Sequence, residues 1–300
     1  MQEQRNHIVF QCYGHEGIFY ECTYALLSLA RLYDGGTPAN TDIWIYTDNA
    51  AWFRSLNASL PLHFREVDSA LIKQWRGKID FVHRVKIEVL KDFMQQHTGN
   101  VLYADTDIVF TQPIDKMLQG INDGNCYMHL MEGIVSDAGN PMLKKLNNYL
   151  RKADKKLSGL PLWDMAMWNA GVLGFNASYK GLIDDVLQFT DTVHPEFPKH
   201  VVEQFAFSVY LGQTGKLKAA HPYILHYWNM KEVREVLQSF FAFMKGKPWA
   251  DLVRYSQAIQ MHVYMQDKIS FLANRTLAGK IKKEQWAPVV PDWEMWMKQL

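Results

Sequence analysis

The pattern of apolar and polar positions over the first hundred residues predicts strands that alternate with helices. Strands are expected at 7–13, 43–46 and 62–67. Apolar side chains recur at helical spacing at 18–33, 49–56 and 84–97. This alternation predicts a parallel sheet covered by helices, in which ligands bind beyond the carboxyl ends of the strands.

After residue 110 the pattern is less regular. Further strands are expected at 127–131, 168–176 and 223–225. Further helices are expected at 113–118, 141–157, 182–189 and 201–211. The residues that follow are mostly helical and show no strand alternation. We therefore predict a sheet-bearing domain over 1–230 and a C-terminal helical extension over 231–300.

The stretch 101–110 carries the clearest candidate chemistry. Its apolar beginning predicts a short buried strand that ends at Asp105 and Asp107. Two carboxylates separated by one residue point the same way in extended geometry and can address one hard cation. The alternative is a turn that carries two solvated aspartates, since aspartate is common after strands.

Composition narrows the class of protein. The net charge of +1 gives no case for bulk nucleic-acid binding. Three widely separated cysteines form neither a disulfide framework nor a Cys-x-x-Cys metal site, which favours a reducing compartment. The first residues lack a signal-peptide core, so a cytoplasmic protein is expected.

Four features in this order resemble the retaining family 8 glycosyltransferases, which have the type A fold. They are an Arg-x-Lys opening a helix, the Asp-x-Asp on a strand, an Asn-Ala-Gly run, and an acid–Gln pair on a helix that is followed by a strand-ending histidine. The residues concerned are Arg84, Lys86, Asp105, Asp107, Asn169, Ala170, Gly171, Glu203, Gln204 and His226. The resemblance implies an α/β fold with a mixed, mostly parallel sheet flanked by helices.

The resemblance also implies a metal site formed by Asp105, Asp107 and His226. Mn²⁺ is favoured over Mg²⁺, because imidazole is a softer ligand than a carboxylate. The ion is expected to bridge the diphosphate of a UDP-sugar. His221 is the competing third ligand, because the Gly and Lys-Pro-Trp that usually follow the metal histidine occur here only at 246–249.

Further contacts to the donor follow from the same resemblance. They fall on Tyr13, Arg84, Lys86, Asn169, Ala170, Gly171 and Lys231. Arg84 is expected at the donor sugar or its phosphates, and Lys86, which points away from it, ranks lower. Tyr13 would stack on the uracil, and Lys231 would contact the phosphates if 246–249 is a coincidence.

The implied catalytic residues are Glu203 and Gln204. Gln204 corresponds to the position nearest the anomeric carbon, and an amide is a poor nucleophile, which fits front-face attack by the acceptor. Glu203 stands where the family usually has aspartate. The implied activity is metal-dependent, retaining transfer of a hexose, glucose or galactose, from a UDP-sugar to a saccharide or glycolipid acceptor.

Two other functions compete with this one. Aspartate-dependent phosphohydrolases also use Asp-x-Asp after a strand, but on the first strand and followed by a pair such as Gly-Thr. A non-catalytic nucleotide-sugar-binding domain on the same fold is the other alternative, and the intact Asp105, Asp107 and Gln204 argue against it.

The C-terminal segment suggests a membrane contact. Basic residues after 267 are interleaved with Trp286, Trp293 and Trp296, a composition that suits the interface of an anionic leaflet. The expectation is a peripheral position on the inner face of the membrane. The alternative is that these tryptophans pack on the domain and the lysines are solvated.

Overall fold

The fold is described from a computed structural model that covers residues 4–137, 139–157, 159–276 and 284–298. Its strands are β1 Asn6–Cys12, β2 Thr41–Thr47, β3 Leu62–Glu66, β4 Asn100–Ala104, β5 Ile108–Phe110, β6 Cys126–Met128, β7 Met131–Ile134, β8 Lys156–Leu157, β9 Leu160–Pro161, β10 Ala166–Trp168, β11 Val172–Asn176, β12 Leu217–Ala219 and β13 Ile224–His226. Its helices are α1 Glu16–Ala30, α2 Ser69–Trp75, α3 Arg84–Gln96, α4 Asp115–Asn122, α5 Pro141–Lys152, α6 Lys180–Val193, α7 Val201–Gly212, α8 Arg234–Phe243, α9 Trp249–Tyr255, α10 Met261–Asn274 and α11 Trp293–Met297. None of the described helices has the length and apolar character that crossing a bilayer requires.

Seven strands form the central sheet in the order β12-β6-β11-β4-β1-β2-β3. Neighbours are parallel except at β11, which runs antiparallel to both β4 and β6. The predicted mixed, mostly parallel sheet flanked by helices is therefore present. The first predicted strands agree with β1, β2 and β3 to within two residues at each end.

Helices cover both faces of this sheet. Alternate residues of β1 enter different cores, because successive side chains of a strand point to opposite faces. Ile8 and Phe10 pack with apolar residues of α1, whereas Val9 packs with apolar residues of α3, α6 and α7. The carboxyl ends of β1 and β4 are left open between these layers.

The chain leaves the central sheet directly after β4. The next strand, β5, pairs antiparallel with β13 in a separate two-stranded sheet. This departure corrects the expectation of one extended stretch over 101–110. Asp105 and Asp107 lie in the bend between strands that belong to different sheets, because β5 has to turn away from β4 to meet β13.

A smaller layer lies between β6 and β11 in the sequence. It contains the antiparallel ribbon β7–β10, the short hairpin β8–β9 and the amphipathic α5. Apolar residues of α5 pack against apolar residues of α7 in a core of their own. One predicted strand at 127–131 is thus two strands, with β6 in the central sheet and β7 in the ribbon.

The C-terminal helices pack on α1 through a further core that includes Tyr24 and Leu27. Trp286 and Trp293 are buried in this core, and their indole nitrogens donate hydrogen bonds to Asp267 and Ser239 at 2.7 and 2.9 Å. The two rings therefore pack on the domain and are not available for insertion into a bilayer. The basic residues at 280, 282 and 283 lie outside the described residues.

Candidate functional site

The bend after β4 is held from both sides by main-chain hydrogen bonds. The amide of Asp105 donates to the carbonyl of Gly171 at 2.8 Å, next to the β4–β11 pairing. The amide of Tyr227 donates to the carbonyl of Asp107 at 2.9 Å, next to the β5–β13 pairing. Strand pairing therefore brings the two aspartates to the residue that ends β13, which is His226.

Asp105, Asp107 and His226 form the single group of three metal-ligating side chains found among the described residues. One ligand atom of each lies within 4.8 Å of the others. Nε2 of His226 is 3.1 Å from Oδ1 of Asp107 and 3.9 Å from Oδ2 of Asp105. Adjacent oxygen ligands of an octahedral ion at about 2.1 Å lie about 3 Å apart, so these separations fit one small divalent cation.

The orientation of the His226 ring follows from its neighbour Asn169. The amide of Gly171 can only donate, so the Asn169 atom that lies 3.0 Å from it is the carbonyl oxygen. Nδ1 of His226 lies 2.9 Å from the same oxygen and must therefore carry a hydrogen. Nε2 is left facing the Asp107 carboxylate, where either a proton or a cation has to lie between them.

Gly171 allows the His226 ring to lie directly on the backbone. A β-carbon at this position would collide with three atoms of the imidazole, Cε1, Nδ1 and Nε2. The missing side chain of Gly171 therefore leaves room for His226 against the Asn-Ala-Gly run. Ala170 is buried beside it, and its carbonyl oxygen accepts a hydrogen bond from Lys86.

Lys86 is a buried cation between two carboxylates. Its Nζ lies 3.2 Å from Asp105, 2.9 Å from the Ala170 carbonyl and 3.4 Å from Glu203. Burial alone would lower the pKa of Lys86, but Asp105 and Glu203 together raise it above its ordinary value. The ammonium group is therefore charged and forms part of the wall of the site.

The carboxylates around Lys86 differ in their ionisation. Burial, followed by the charge of Asp105, raises the pKa of Glu203 to about 7 even though Lys86 opposes the shift. Burial also acts to raise the pKa of Asp107, but hydrogen bonding and charge from His226, with a smaller effect of Lys86, lower it overall. Asp107 is thus an anion at neutral pH, whereas Glu203 is partly protonated.

Arg84 lies on another side of α3 and binds other partners. Its guanidinium contacts Asp191 at 2.7 and 3.1 Å, Glu88 at 2.7 Å and the carbonyl of Trp75 at 2.6 Å. It is not among the residues that line the cleft beside the aspartates. Of the two basic residues, Lys86 therefore lines the cleft and Arg84 does not.

A cleft of about 270 Å³ opens beside the three candidate metal ligands. It is lined by His83, Lys86, Asp105, Glu132, Asn140, Met142, Leu143, Asn169, Ala170, Gly171, His200, Val201, Glu203, Gln204, His226 and Trp228. Gln204 reaches it from the first turn of α7 and donates a hydrogen bond to Glu132 at 2.9 Å. Glu203, one position earlier, turns inward toward Lys86.

Among the cleft residues that the sequence analysis did not single out, Glu132 and Trp228 have the contacts that matter for the chemistry. Glu132 accepts hydrogen bonds from the amide nitrogens of Gln204 and Asn169, at 2.9 and 3.2 Å. Trp228 leaves 45% of its surface exposed at the cleft, with its ring 5.1 Å from that of His226. An aromatic residue so close after the candidate metal histidine was the available signal for Trp228; Glu132 carried none.

The remaining predicted residues lie around this site at different distances. Tyr13 follows β1 and accepts a hydrogen bond from Gln11, but it does not line the cleft. Lys231 begins the exposed turn after β13. His221 is exposed and stands outside the ligand group that contains His226.

The Gly-Lys-Pro-Trp run at 246–249 lies outside the cleft. Trp249 donates to the carbonyl of Gly35, just beyond the carboxyl end of α1, at 2.8 Å. None of residues 246–249 lines the cleft beside the candidate metal ligands.

No protein-family model matches the chain, and no curated protein matches its sequence. Solved structures with a similar arrangement include mouse xyloside xylosyltransferase 1 in its apo form, with a TM-score of 0.45 and 13% identity over 72% of this chain and 84% of that one. The glycosyltransferase GlyE of Streptococcus pneumoniae TIGR4 gives a TM-score of 0.49 and 12% identity over 84% of this chain and 63% of that one. Galactosyltransferase LgtC, solved with donor and acceptor sugar analogues, gives 0.47 and 14% identity over 83% and 81%. Similarity at this level does not identify the function of the chain.

Proposed function

We propose that this chain is a metal-dependent, retaining glycosyltransferase that moves a hexose, glucose or galactose, from a UDP-sugar to a saccharide or glycolipid acceptor. The observation that carries the proposal is the convergence of Asp105, Asp107 and His226 beside a cleft that is lined by Asp105, His226 and Gln204. A nucleoside diphosphate and a sugar need such a pair of adjoining sites.

The donor set supports a divalent ion at the first of these sites. Two carboxylates and one imidazole suit Mn²⁺, and Mg²⁺ less well. A divalent ion held by Asp105, Asp107 and His226 would offset the negative charge that develops on the leaving UDP. Asn169 keeps the hydrogen of the His226 ring on Nδ1, so that Nε2 remains available as a ligand atom.

Lys86 takes the place that the resemblance gives to Arg84. Its ammonium group is fixed by the Ala170 carbonyl and by Asp105, and it lines the cleft. When a donor enters, this charge can attract its phosphates without any rearrangement of the helix. Lys231, on the exposed turn, supplies a second cation for the phosphates, and Tyr13 stacks on the uracil.

The sugar is placed against Gln204, Glu203, Ala170 and Gly171. The amide nitrogen of Gln204 is bound to Glu132, which leaves its carbonyl oxygen to face positive charge on the anomeric carbon. In a front-face reaction, the acceptor oxygen bonds to that carbon as the bond to the β-phosphate oxygen breaks. The proton of the acceptor hydroxyl passes to the departing phosphate, and the α configuration is retained.

The acceptor is expected at the mouth of the cleft beside Trp228. An exposed indole offers an apolar face to the C–H groups of a sugar ring while its nitrogen remains able to donate. A saccharide, free or on a lipid, therefore suits this face.

The proposal is tested by isothermal titration of UDP with and without Mn²⁺, followed by a UDP-release assay with a panel of UDP-hexoses. Tight UDP binding should require Mn²⁺, and Asp107→Ala should abolish this Mn²⁺-dependent binding and lower turnover by roughly 10²-fold or more. An NMR spectrum of the product should show an α linkage, and a β linkage refutes retention. Binding of UDP without any turnover or hydrolysis identifies a nucleotide-sugar-binding domain instead.

A further inference from the structure

Glu132 lines the cleft and contacts both Gln204 and Asn169. One carboxylate oxygen accepts from the amide nitrogen of Gln204 at 2.9 Å, and the other accepts from that of Asn169 at 3.2 Å. Asn169 in turn contacts His226, which contacts Asp107. A continuous series of hydrogen bonds therefore joins the residue placed at the sugar to the residues placed at the metal.

We propose that Glu132 is a positioning residue that fixes the side-chain amides of Gln204 and Asn169 at the same time. This inference rests on the proposed function and assigns a role to a residue outside the implied catalytic and metal-binding sets. Each amide has one nitrogen and one oxygen, and only a bidentate acceptor can bind both nitrogens at once. The carboxylate thereby directs both carbonyl oxygens away from itself, one toward the sugar and one toward His226.

The backbone around Glu132 supports a fixed position. Glu132 lies in β7, which pairs with β10, and the amide of Asn169 donates to the carbonyl of Leu130 at 2.8 Å just beyond that pairing. The hydroxyl of Ser208, one turn after Gln204 on α7, accepts from the amide of Trp168 at 2.9 Å. The ribbon and α7 are thus joined twice, by Ser208 at the main chain and by Glu132 at the cleft.

Substitution of the carboxylate by an amide tests this role with little change of shape. In Glu132→Gln, one of the two acceptor atoms becomes a donor, so the side chain can no longer accept from both amides at once and the joint fixing of Gln204 and Asn169 is lost. Glu66→Gln is the matched control, because Glu66 is exposed at the end of the edge strand β3. Circular dichroism and thermal melting of the two variants check that each is folded.

The first measurement uses a double-mutant cycle on kcat and KM. Glu132→Gln should lower kcat by roughly 10-fold, the size of effect that outer-shell partners commonly have, while the KM for the donor changes little. In a Gln204→Ala background the same substitution should have no further effect on kcat, because its target is gone. At saturating Mn²⁺, independent and multiplying losses in kcat would contradict the role of Glu132 at Gln204.

The second measurement needs no turnover. Mn²⁺ affinity, followed by electron paramagnetic resonance on the protein without substrate, should fall in Glu132→Gln and remain unchanged when the same substitution is added to Asn169→Ala. The ¹⁵N shifts of the His226 ring in the metal-free protein should show Nδ1–H in the wild type and a smaller Nδ1–H population in Glu132→Gln.

These measurements distinguish a failure of the proposed function from a failure of the role proposed for Glu132. If the wild type binds Mn²⁺ but transfers no sugar, the proposed function fails and the metal affinity and ring shifts still decide the role of Glu132. If the wild type binds no Mn²⁺ either, the ring shifts alone decide it. The inference is overturned if Glu132→Gln matches Glu66→Gln in kcat, in Mn²⁺ affinity and in the His226 ring shifts.

Discussion

Arg84 and Lys86 lie in the first turn of α3 and are buried to nearly the same extent, with 8% and 7% of their surfaces exposed. Each binds two carboxylates and one main-chain carbonyl. The Arg84 cluster comprises Asp191, Glu88 and the Trp75 carbonyl, all with a contact of 2.7 Å or less. The Lys86 cluster comprises Asp105, Glu203 and the Ala170 carbonyl, with longer ion-pair distances of 3.2 and 3.4 Å.

The two clusters differ in whether their cation is accessible to a ligand in the cleft. Arg84 directs its forked guanidinium at partners that join α3 to α6 and α2, and it is satisfied there. Lys86 contacts Asp105, a candidate metal ligand, and Glu203, a candidate catalytic residue. It also lines the cleft. Two cations with equal burial and similar partners thus differ in their access to the cleft, and the proposed function gives a binding role to Lys86 alone.

The largest expected effect is on stability, in Arg84→Met. Removal of one member of a buried ionic cluster leaves the others unpaired and typically costs 3–5 kcal/mol; we expect about 3 kcal/mol, because Asp191 is partly solvated. Urea unfolding should show this loss, and UDP affinity of the folded protein should be nearly unchanged. Lys91→Met is the control, since Lys91 joins the same two helices through an exposed pair with Asp184 and should cost about 1 kcal/mol or less. Normal stability with lost donor binding would restore Arg84 to the donor site.

The next effect is on turnover, in Lys86→Met. Loss of a fixed cation beside the leaving phosphates should lower kcat/KM by roughly 10²-fold, which corresponds to about 2.7 kcal/mol of transition-state stabilisation. Steady-state UDP release measures it, again with Lys91→Met as the control. Full activity in Lys86→Met would remove the distinction between the two clusters.

Glu203→Gln should change how stability depends on pH. Because the folded pKa of about 7 lies above the ordinary 4.5, the folded state binds more protons between these values, and wild-type stability falls as pH rises through about 7. The variant carries no such titration. Its unfolding free energy relative to wild type should therefore rise by roughly 2 kcal/mol from pH 5.5 to pH 8 in urea titrations. If the unfolding free energies of the variant and the wild type changed with pH in parallel, the pKa of Glu203 would be the same in the folded and unfolded states.

The smallest expected effect is on metal affinity, in Gly171→Ala. The added methyl group collides with the His226 ring and displaces one candidate ligand, so Mn²⁺ should bind about 10-fold more weakly. Isothermal titration measures this, with Gly212→Ala as the control because a β-carbon there has no atom within 4 Å. Unchanged affinity would mean that His226 does not bind the ion and that the Lys86 cluster adjoins only an aspartate pair.

The sequence predicts β1, β2 and β4 well because they are short apolar runs bounded by turns, but it does not predict β12 at Leu217–Ala219. It does not predict the bend at Asp105 and Asp107, since that bend depends on the pairing of β5 with β13, far along the chain. The end of α5 at Lys152 was also missed, and Asp154 with a positive φ of 44° follows it. Local patterns cannot report either the partner of a distant strand or the direction of such a turn.

Within the site, the ranking of Arg84 and Lys86 could not be read from the helical pattern. Val85 faces the core between them, and at about 100° per residue the two side chains lie on either side of it by equal angles. Which side adjoins the cleft depends on how α3 sits against the sheet. Asp105, Asp107 and His226 converge because β4 pairs with β11 and β5 pairs with β13. The order of the motifs along the chain does not show these pairings, and only the family resemblance predicts that the three residues meet.

The antiparallel pairing of β5 with β13 has a consequence for folding. It joins segments more than a hundred residues apart, and ordering so long a loop is entropically costly and slow. The ligand group can form only after this closure, so a fragment that ends before β13 has two aspartates and no third ligand. A cation that binds all three residues favours the closed chain by mass action, and added Mn²⁺ should raise the melting temperature of the whole protein. Metal content would then report how completely the two distant parts of the chain have come together.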